Sequence, residues 1–145
     1  MSRAEGSGRR RAREAALQML YQSEIGREDA ETTIGTFWAA REPGSDLPEP
    51  LRAFGNGLVR GTMARLPEID GILGAHAQNW RVERMAVIDR LVLRLAVYEL
   101  LVEAETPSGV VINEALELAR TYSGDESVAF VNGVLDSVRK ELRRG

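Results

Sequence analysis

The sequence predicts an all-α protein, a bundle of about seven helices, and three observations support this fold class. Apolar residues recur at three- and four-residue spacing in successive stretches of the chain. Clusters of Pro, Gly, Ser and Asp separate these stretches, as expected of loops. The alternation of period two that marks strands, and the strand–helix succession of βαβ units, are not found. At 145 residues, the chain has the length of one domain.

Each predicted helix has an apolar face and ends near a residue that disfavours further helix. Gly26 suits a helix stop, and Pro67 suits the first turn of a helix, where its missing N–H is not needed. Residues 42–50 are dense in Pro and Gly and are predicted to be a loop. We expect a disordered lead-in over 1–8, one helical domain over 9–145, and helices over 9–26, 29–41, 51–63, 68–79, 85–102, 112–122 and 128–142.

The stretch 85–102 is predicted to be the central helix of the bundle. Fourteen of its 18 residues are apolar, and its charged residues are Asp89, Arg90, Arg94 and Glu99. A helix that is apolar nearly all round has to be covered on most of its sides. Four charges would make a membrane span of this length very costly. We therefore expect a helix wrapped by other helices and no association with a membrane.

Composition excludes several classes of function. The chain has no cysteine, so disulfides and cysteine metal sites are excluded. His76 is the only histidine, which excludes a metal cluster built from several histidines. The polar, basic start of the chain lacks the apolar run of a signal peptide. We therefore expect a cytoplasmic protein that is not an enzyme and uses no cofactor or metal.

The net charge of −3 conceals an uneven distribution. Residues 1–13 carry a net charge of +4 and residues 139–145 a net charge of +3, which leaves −10 for the segment between them. Basic ends on an acidic body indicate local rather than global attraction for a polyanion. The alternative is a basic tail that is only solvated.

An arginine cluster, defined as Arg9, Arg10, Arg11 and Arg13, opens the first helix. Positive charge in a first helical turn opposes the helix dipole and costs about 0.3–1 kcal/mol per exposed residue. Arg9 and Arg13 lie one turn apart, so the cluster can present several guanidinium groups to phosphates. Aromatic side chains could add stacking on RNA bases. The candidates, each of which could equally be part of the core, are Tyr21, Tyr122 and Phe130.

Glycines inside two predicted helices raise a separate question. The segment 55–61 matches a dinucleotide fingerprint only loosely, because a Pro-rich loop precedes it where a strand is required. Gly57 and Gly61 fit close helix packing better. Gly133 interrupts an apolar helical pattern and costs about 1 kcal/mol relative to Ala. This indicates close approach to the backbone there, by either a neighbouring helix or a partner.

Four ordered segments carry a resemblance to a known family. They are RRRAREAALQMLY (9–21), DRLVLRLAVYEL (89–100), INEALELA (112–119) and FVNGVLD (130–136). Together they resemble the bacterial transcription antitermination factors of the NusB family, in that family's order and at its approximate spacing. The resemblance implies a non-enzymatic protein with two closely packed helical subdomains, one of three helices and one of four.

The family resemblance also implies partners and binding residues. It implies binding to NusE, which is also a small-subunit ribosomal protein, and with it to single-stranded boxA RNA of ribosomal RNA operon transcripts, so that RNA polymerase reads through termination signals. The matching positions are Arg9, Arg10, Arg11, Arg13, Glu126 and Phe130 for RNA, with Asp89 and Arg90 near the NusE surface. Glu126 stands where the family also has Asp. The alternatives are a protein-interaction scaffold without RNA preference, and a homodimer that covers the arginine helix.

Overall fold

A computed structural model of the protein describes residues 3–42, 47–77 and 81–142. That part of the chain contains seven α-helices, one 3-10 turn at Val82–Arg84 and no strand, so the predicted all-α fold class is confirmed. The helices are α1 (Arg3–Gly26), α2 (Ala30–Ala39), α3 (Glu49–Ala64), α4 (Leu66–His76), α5 (Val87–Val102), α6 (Ser108–Tyr122) and α7 (Asp125–Glu141).

Contacts divide the chain into two compact units, unit 1 (Met1–Met63) and unit 2 (Ala64–Gly145). Unit 1 holds α1 to α3, and unit 2 holds α4 to α7. This is the grouping of three and four helices that the family resemblance implies.

Unit 1 is built on the close approach of α1 and α3. A Cβ added to Gly55 would lie 3.0 Å from the carbonyl oxygen of Ala12, and one added to Gly8 would lie 2.5 Å from a methyl group of Leu51. Glycine lets the two helices approach where a side chain would keep them apart. In α2, Asp29 accepts a hydrogen bond from the Thr32 N–H at 2.7 Å and caps the helix.

The first helix begins earlier than the sequence analysis predicts. It starts at Arg3, not at Arg9, so the segment predicted to be a disordered lead-in is helical from residue 3 onward. Residues 3–7 include Ala and Glu, which tolerate a helix well, and buried Gly8 of the same helix packs against Leu51 of α3. Residues 1–2 lie outside the described part of the chain.

Unit 2 is organised around α5, as the sequence predicts for the stretch 85–102. Helices α4, α6 and α7 all contact α5. Its side chains Val92, Leu93 and Val97 are fully buried, and Leu91 and Leu95 nearly so. Burying a large aliphatic side chain contributes about 1.5–3 kcal/mol, so α5 supplies much of the stability of this unit.

Polar contacts tie the helices of unit 2 together. Arg94 of α5 donates two parallel hydrogen bonds to Asp70 of α4, both at 2.8 Å. His76 is half-buried and lies 2.6 Å from the Ser137 hydroxyl and 2.7 Å from a Glu141 carboxylate oxygen.

The structure also corrects the glycine predictions. Gly57 faces open space, and Gly55 is the glycine of this segment at which α1 approaches α3. Gly133 is exposed and also has nothing within 4 Å of an added Cβ. A neighbouring helix is therefore not the reason for Gly133.

Among the described residues, no helix is long and apolar enough to cross a membrane, and no group of His, Asp and Glu could hold a metal ion.

Candidate nucleic-acid interface

The arginine cluster lies on α1 in unit 1, where its members differ in exposure. Arg10 and Arg11 are exposed, whereas Arg9 is half-buried and Arg13 is only 3% exposed. Because four residues make about one helical turn, Arg9 and Arg13 share the side of α1 that faces α3. Of the four arginines predicted to contact RNA, Arg13 is therefore the one whose side chain is buried in this structure.

The side chain of Phe54 on α3 explains this difference. The guanidinium carbon of Arg9 lies 4.6 Å from the centre of the Phe54 ring, and that of Arg13 lies 5.4 Å from it. Both distances are within the range of cation–π attraction, which compensates a guanidinium for lost water. Arg13 thus fixes α1 against α3, while Arg10 and Arg11 remain at the surface.

Two further arginines of unit 1 lie over aromatic rings and were not singled out from the sequence. The guanidinium carbon of Arg41 lies 4.9 Å from the Phe37 ring centre, and that of Arg52 lies 4.8 Å from the Trp38 ring centre. Trp38 is fixed in turn by a 2.7 Å hydrogen bond from its indole N–H to Asn56. The only sequence signal was the spacing of Arg41 with Phe37 and Trp38, which indicates a shared helix face but not cation–π stacking.

A pocket in unit 2 collects three of the residues that the family resemblance indicates. This cavity, which we call the Phe130 pocket, has a volume of about 420 Å³. Its walls come from the start of α5 and the start of α7. The lining residues are Met85, Ala86, Asp89, Ser123, Glu126, Ser127 and Phe130. Asp89, expected at the partner surface, therefore lies in the same pocket as Glu126 and Phe130, expected at the RNA surface.

A short hydrogen-bond chain holds the carboxylate of Asp89 in this pocket. Asp89 is 8% exposed, and its Oδ2 accepts a hydrogen bond from Ser127 Oγ at 3.0 Å. Ser127 Oγ lies 2.8 Å from Ser123 Oγ. The other oxygen, Asp89 Oδ1, is buried without a hydrogen-bond partner in the described part of the chain. A buried carboxylate with an unfilled acceptor position favours an occupant that donates N–H groups.

The remaining candidate residues differ in their position and in their exposure. Arg90 donates to the carbonyl oxygen of Met85 at 3.5 Å and so supports the pocket wall. Glu126 is exposed in the first turn of α7, where the helix dipole alone would favour a carboxylate. Tyr21 is 44% exposed in unit 1, whereas Tyr122 and Phe130 are half-buried in unit 2.

Comparison with known proteins shows the family of the chain. The NusB family model matches residues 10–140. The transcription antitermination protein NusB of Koribacter versatilis is 49% identical over 134 residues, which cover 92% of this chain and 90% of the relative. The protein of the same name from Anaeromyxobacter dehalogenans is 46% identical over 142 residues, which cover 96% and 97%.

Solved structures show the same likeness in three dimensions. T. maritima NusB matches with a TM-score of 0.81 at 36% identity, covering 92% of this chain and 91% of that one. A crystal structure of the antitermination factors NusB and NusE in complex with dsRNA matches with a TM-score of 0.81 at 26% identity, covering 93% and 98%. From its sequence and its fold, the chain belongs to the NusB family of transcription antitermination proteins.

Proposed function

We propose that this protein is a non-catalytic, cytoplasmic antitermination factor that binds boxA RNA of ribosomal RNA operon transcripts together with NusE. The complex would help RNA polymerase to read through termination signals. The observation that carries the proposal is the exposed pair Arg10 and Arg11 at the surface of α1. A solved relative bound to both NusE and RNA supports the same partners here.

The arginine cluster supplies attraction that does not depend on base sequence. Guanidinium groups bind phosphate oxygens through paired N–H donors. Arg9 is held over Phe54 and Arg13 is buried, so Arg10 and Arg11 contribute most of the accessible charge. Each phosphate contact on a single strand should add about 0.7 to the slope of log K against log salt concentration.

The Phe130 pocket supplies the preference for particular bases. A ring at the pocket edge can stack on an unpaired base, which is worth about 1–3 kcal/mol per base. The carboxylate of Glu126 accepts hydrogen bonds and repels phosphate, so it favours the amino edges of bases over the RNA backbone. Asp89 and Arg90 at the start of α5 are the proposed contacts to NusE, and the shared pocket would couple the partner to RNA binding.

The test is a fluorescence-anisotropy titration of boxA RNA and a scrambled RNA, with and without NusE, at two salt concentrations. We expect a preference for boxA that becomes stronger when NusE is present. Equal, weak and salt-sensitive binding to both RNAs, unaffected by NusE, would instead indicate a helical scaffold with a solvated basic end. RNA affinity that falls as protein concentration rises would indicate a homodimer that covers the arginine helix.

A pair of variants isolates the role of the arginine cluster. R10Q/R11Q should weaken boxA binding and reduce the salt slope by up to about 1.4, which corresponds to two lost phosphate contacts. R60Q/R65Q removes the same charge from exposed positions that face Glu31 and Glu68, and serves as the matched control. If both double variants have the same affinity and slope, the assigned role of Arg10 and Arg11 is wrong.

A further inference from the structure

We infer that unit 1 contains a second phosphate-binding subsite, formed by Arg41 of the α2 C-terminus together with Arg11 of α1. The inference rests on the proposed function and extends it. The RNA backbone would continue from the arginine cluster onto α2, to a residue that the family resemblance does not point to.

The subsite is a recess of about 130 Å³ between α1 and α2, which we call the Trp38 recess. It is well below the ~300–1,000 Å³ of pockets that enclose whole organic ligands. Its size therefore suits one charged group, such as a phosphate, and not a nucleoside. The residues that line it are Arg11, Glu14, Ala15, Gln18, Trp38, Arg41 and Leu47.

Arg41 is held in place by aromatic rings. Its guanidinium carbon lies 4.9 Å from the Phe37 ring centre and 5.8 Å from the Trp38 ring centre. The two rings meet edge to face, with centres 5.0 Å apart and planes at 86°. Trp38 is fixed by its hydrogen bond to Asn56. Stacking occupies the face of a guanidinium group and leaves its N–H edge available for an anion.

The charges around the recess are not balanced within the described residues. Arg11 and Arg41 are both exposed, and in the described ranges neither makes an ion pair with a carboxylate. Glu14 contributes one negative charge to the lining against their two positive charges. Two guanidinium groups that line one recess with a single carboxylate leave an excess of one positive charge. This excess of positive charge favours a phosphate as the occupant.

Arg11 connects the recess to the arginine cluster. It is a member of the arginine cluster and also lines the recess, so a strand bound by Arg10 and Arg11 would lie next to the recess. Because the recess is too small for a nucleoside, its contribution should be independent of base sequence.

The first experiment compares R41Q with R60Q in the same titrations of boxA and scrambled RNA in the presence of NusE. Arg60 lies in the same unit, is exposed and pairs with Glu31, so R60Q removes an equal charge from a different surface. R41Q should weaken binding to both RNAs about 3–10-fold at low salt and lower the salt slope by about 0.7, with the boxA preference unchanged. R60Q should change neither.

A second measurement separates a lost phosphate contact from a disturbed fold. Single methylphosphonate substitutions, each of which removes one phosphate charge, are scanned along the boxA RNA against the wild-type protein and R41Q. One position should weaken binding to the wild type and have no further effect on R41Q. Additive losses at every position would overturn the inference even if R41Q is less stable.

The outcomes distinguish this inference from the proposed function. A wild-type protein that does not prefer boxA contradicts the proposed function. A wild-type protein that prefers boxA, combined with an R41Q variant that behaves like R60Q, contradicts the subsite alone.

A titration with inorganic phosphate, monitored through the indole N–H resonance of Trp38, tests the source of the phosphate. A shift at millimolar phosphate that RNA abolishes indicates the RNA backbone as the occupant. A shift that persists with RNA bound indicates a free-phosphate site and overturns the RNA subsite.

Discussion

Unit 1 and unit 2 hold their arginines in different ways. In unit 2, Arg94 forms an ion pair with Asp70, Arg120 with Glu117 and Arg139 with Asp136. In unit 1, four arginines lie over aromatic rings, while Arg60 pairs with Glu31. The four are Arg9, Arg13, Arg41 and Arg52.

The difference has an electrostatic consequence. A carboxylate cancels the charge of the arginine it orients, whereas an aromatic ring orients the guanidinium and leaves its charge in place. Unit 1 contains nine arginines and nine acidic residues, so its net charge is zero. Its affinity for a polyanion should therefore depend on which arginines are paired and not on the net charge.

The largest expected effect is on the core of unit 2. L93A removes a fully buried side chain of α5 and should destabilise the protein by about 2–5 kcal/mol. Denaturant unfolding measures the change. I25A in unit 1, where Ile25 is 62% exposed, is the control and should change stability by less than about 0.5 kcal/mol. Equal effects of the two substitutions would contradict a core centred on α5.

The second effect contrasts base reading with phosphate attraction. F130A should cost about 1–3 kcal/mol of boxA binding through lost stacking. Unlike R10Q/R11Q, it should reduce the preference over scrambled RNA and leave the salt slope unchanged. V128A, at another half-buried position of α7, controls for damage to the helix. A change in slope without a change in preference would place Phe130 outside base recognition.

A third comparison concerns one ion pair in each unit. Arg94 and Asp70 retain 13% and 30% of their side-chain exposure, whereas Arg60 and Glu31 retain 51% and 68%. D70A should destabilise the protein by about 1–2 kcal/mol, because it leaves a largely buried guanidinium without its bidentate partner. E31A should have a clearly smaller effect, because solvent screens its pair. Thermal unfolding measures the loss of stability in both variants. A larger loss in E31A than in D70A would contradict this prediction.

The smallest effect is the acid sensitivity of unit 1. The hydrogen bond from the Thr32 N–H lowers the pKa of Asp29 below 3.8, and the hydrogen bond from Arg60 lowers the pKa of Glu31 below 4.5. A pKa that is lower in the folded state adds stability above the unfolded value, and this stability is lost as pH falls through the folded value. As the pH is lowered below about 4, the melting temperature should therefore decrease. The decrease should be less steep in D29N/E31Q than in the wild type. Identical acid profiles of variant and wild type would contradict these assignments.

The sequence predicted the helices well because their determinants are local. The spacing of apolar residues located α5 and α7, and Pro67 marked the start of α4. The start of α1 was missed because the fit of Gly8 against Leu51 depends on a helix more than 40 residues away. No local signal carries that contact.

The candidate site was predictable only in part for the same reason. The arginine cluster is a contiguous motif and was found, but the burial of Arg13 depends on Phe54 from another helix. The spacing of Arg41 with Phe37 and Trp38 did not reveal its contact with the two rings, because spacing does not distinguish packing from cation–π stacking. The shared pocket of Asp89 and Phe130 joins α5 to α7 and required the tertiary structure.

The contact between Gly55 and Ala12 has a consequence for genetics. Ala12 lies between Arg11 and Arg13, and a methyl group at Gly55 would press on the Ala12 carbonyl oxygen at 3.0 Å. Any larger residue at position 55 therefore displaces the backbone that carries the arginines. A screen for alleles defective in RNA binding should recover substitutions of Gly55, which is buried and has no side chain that could contact a ligand. Its phenotype would resemble that of arginine loss, although every arginine codon remained intact.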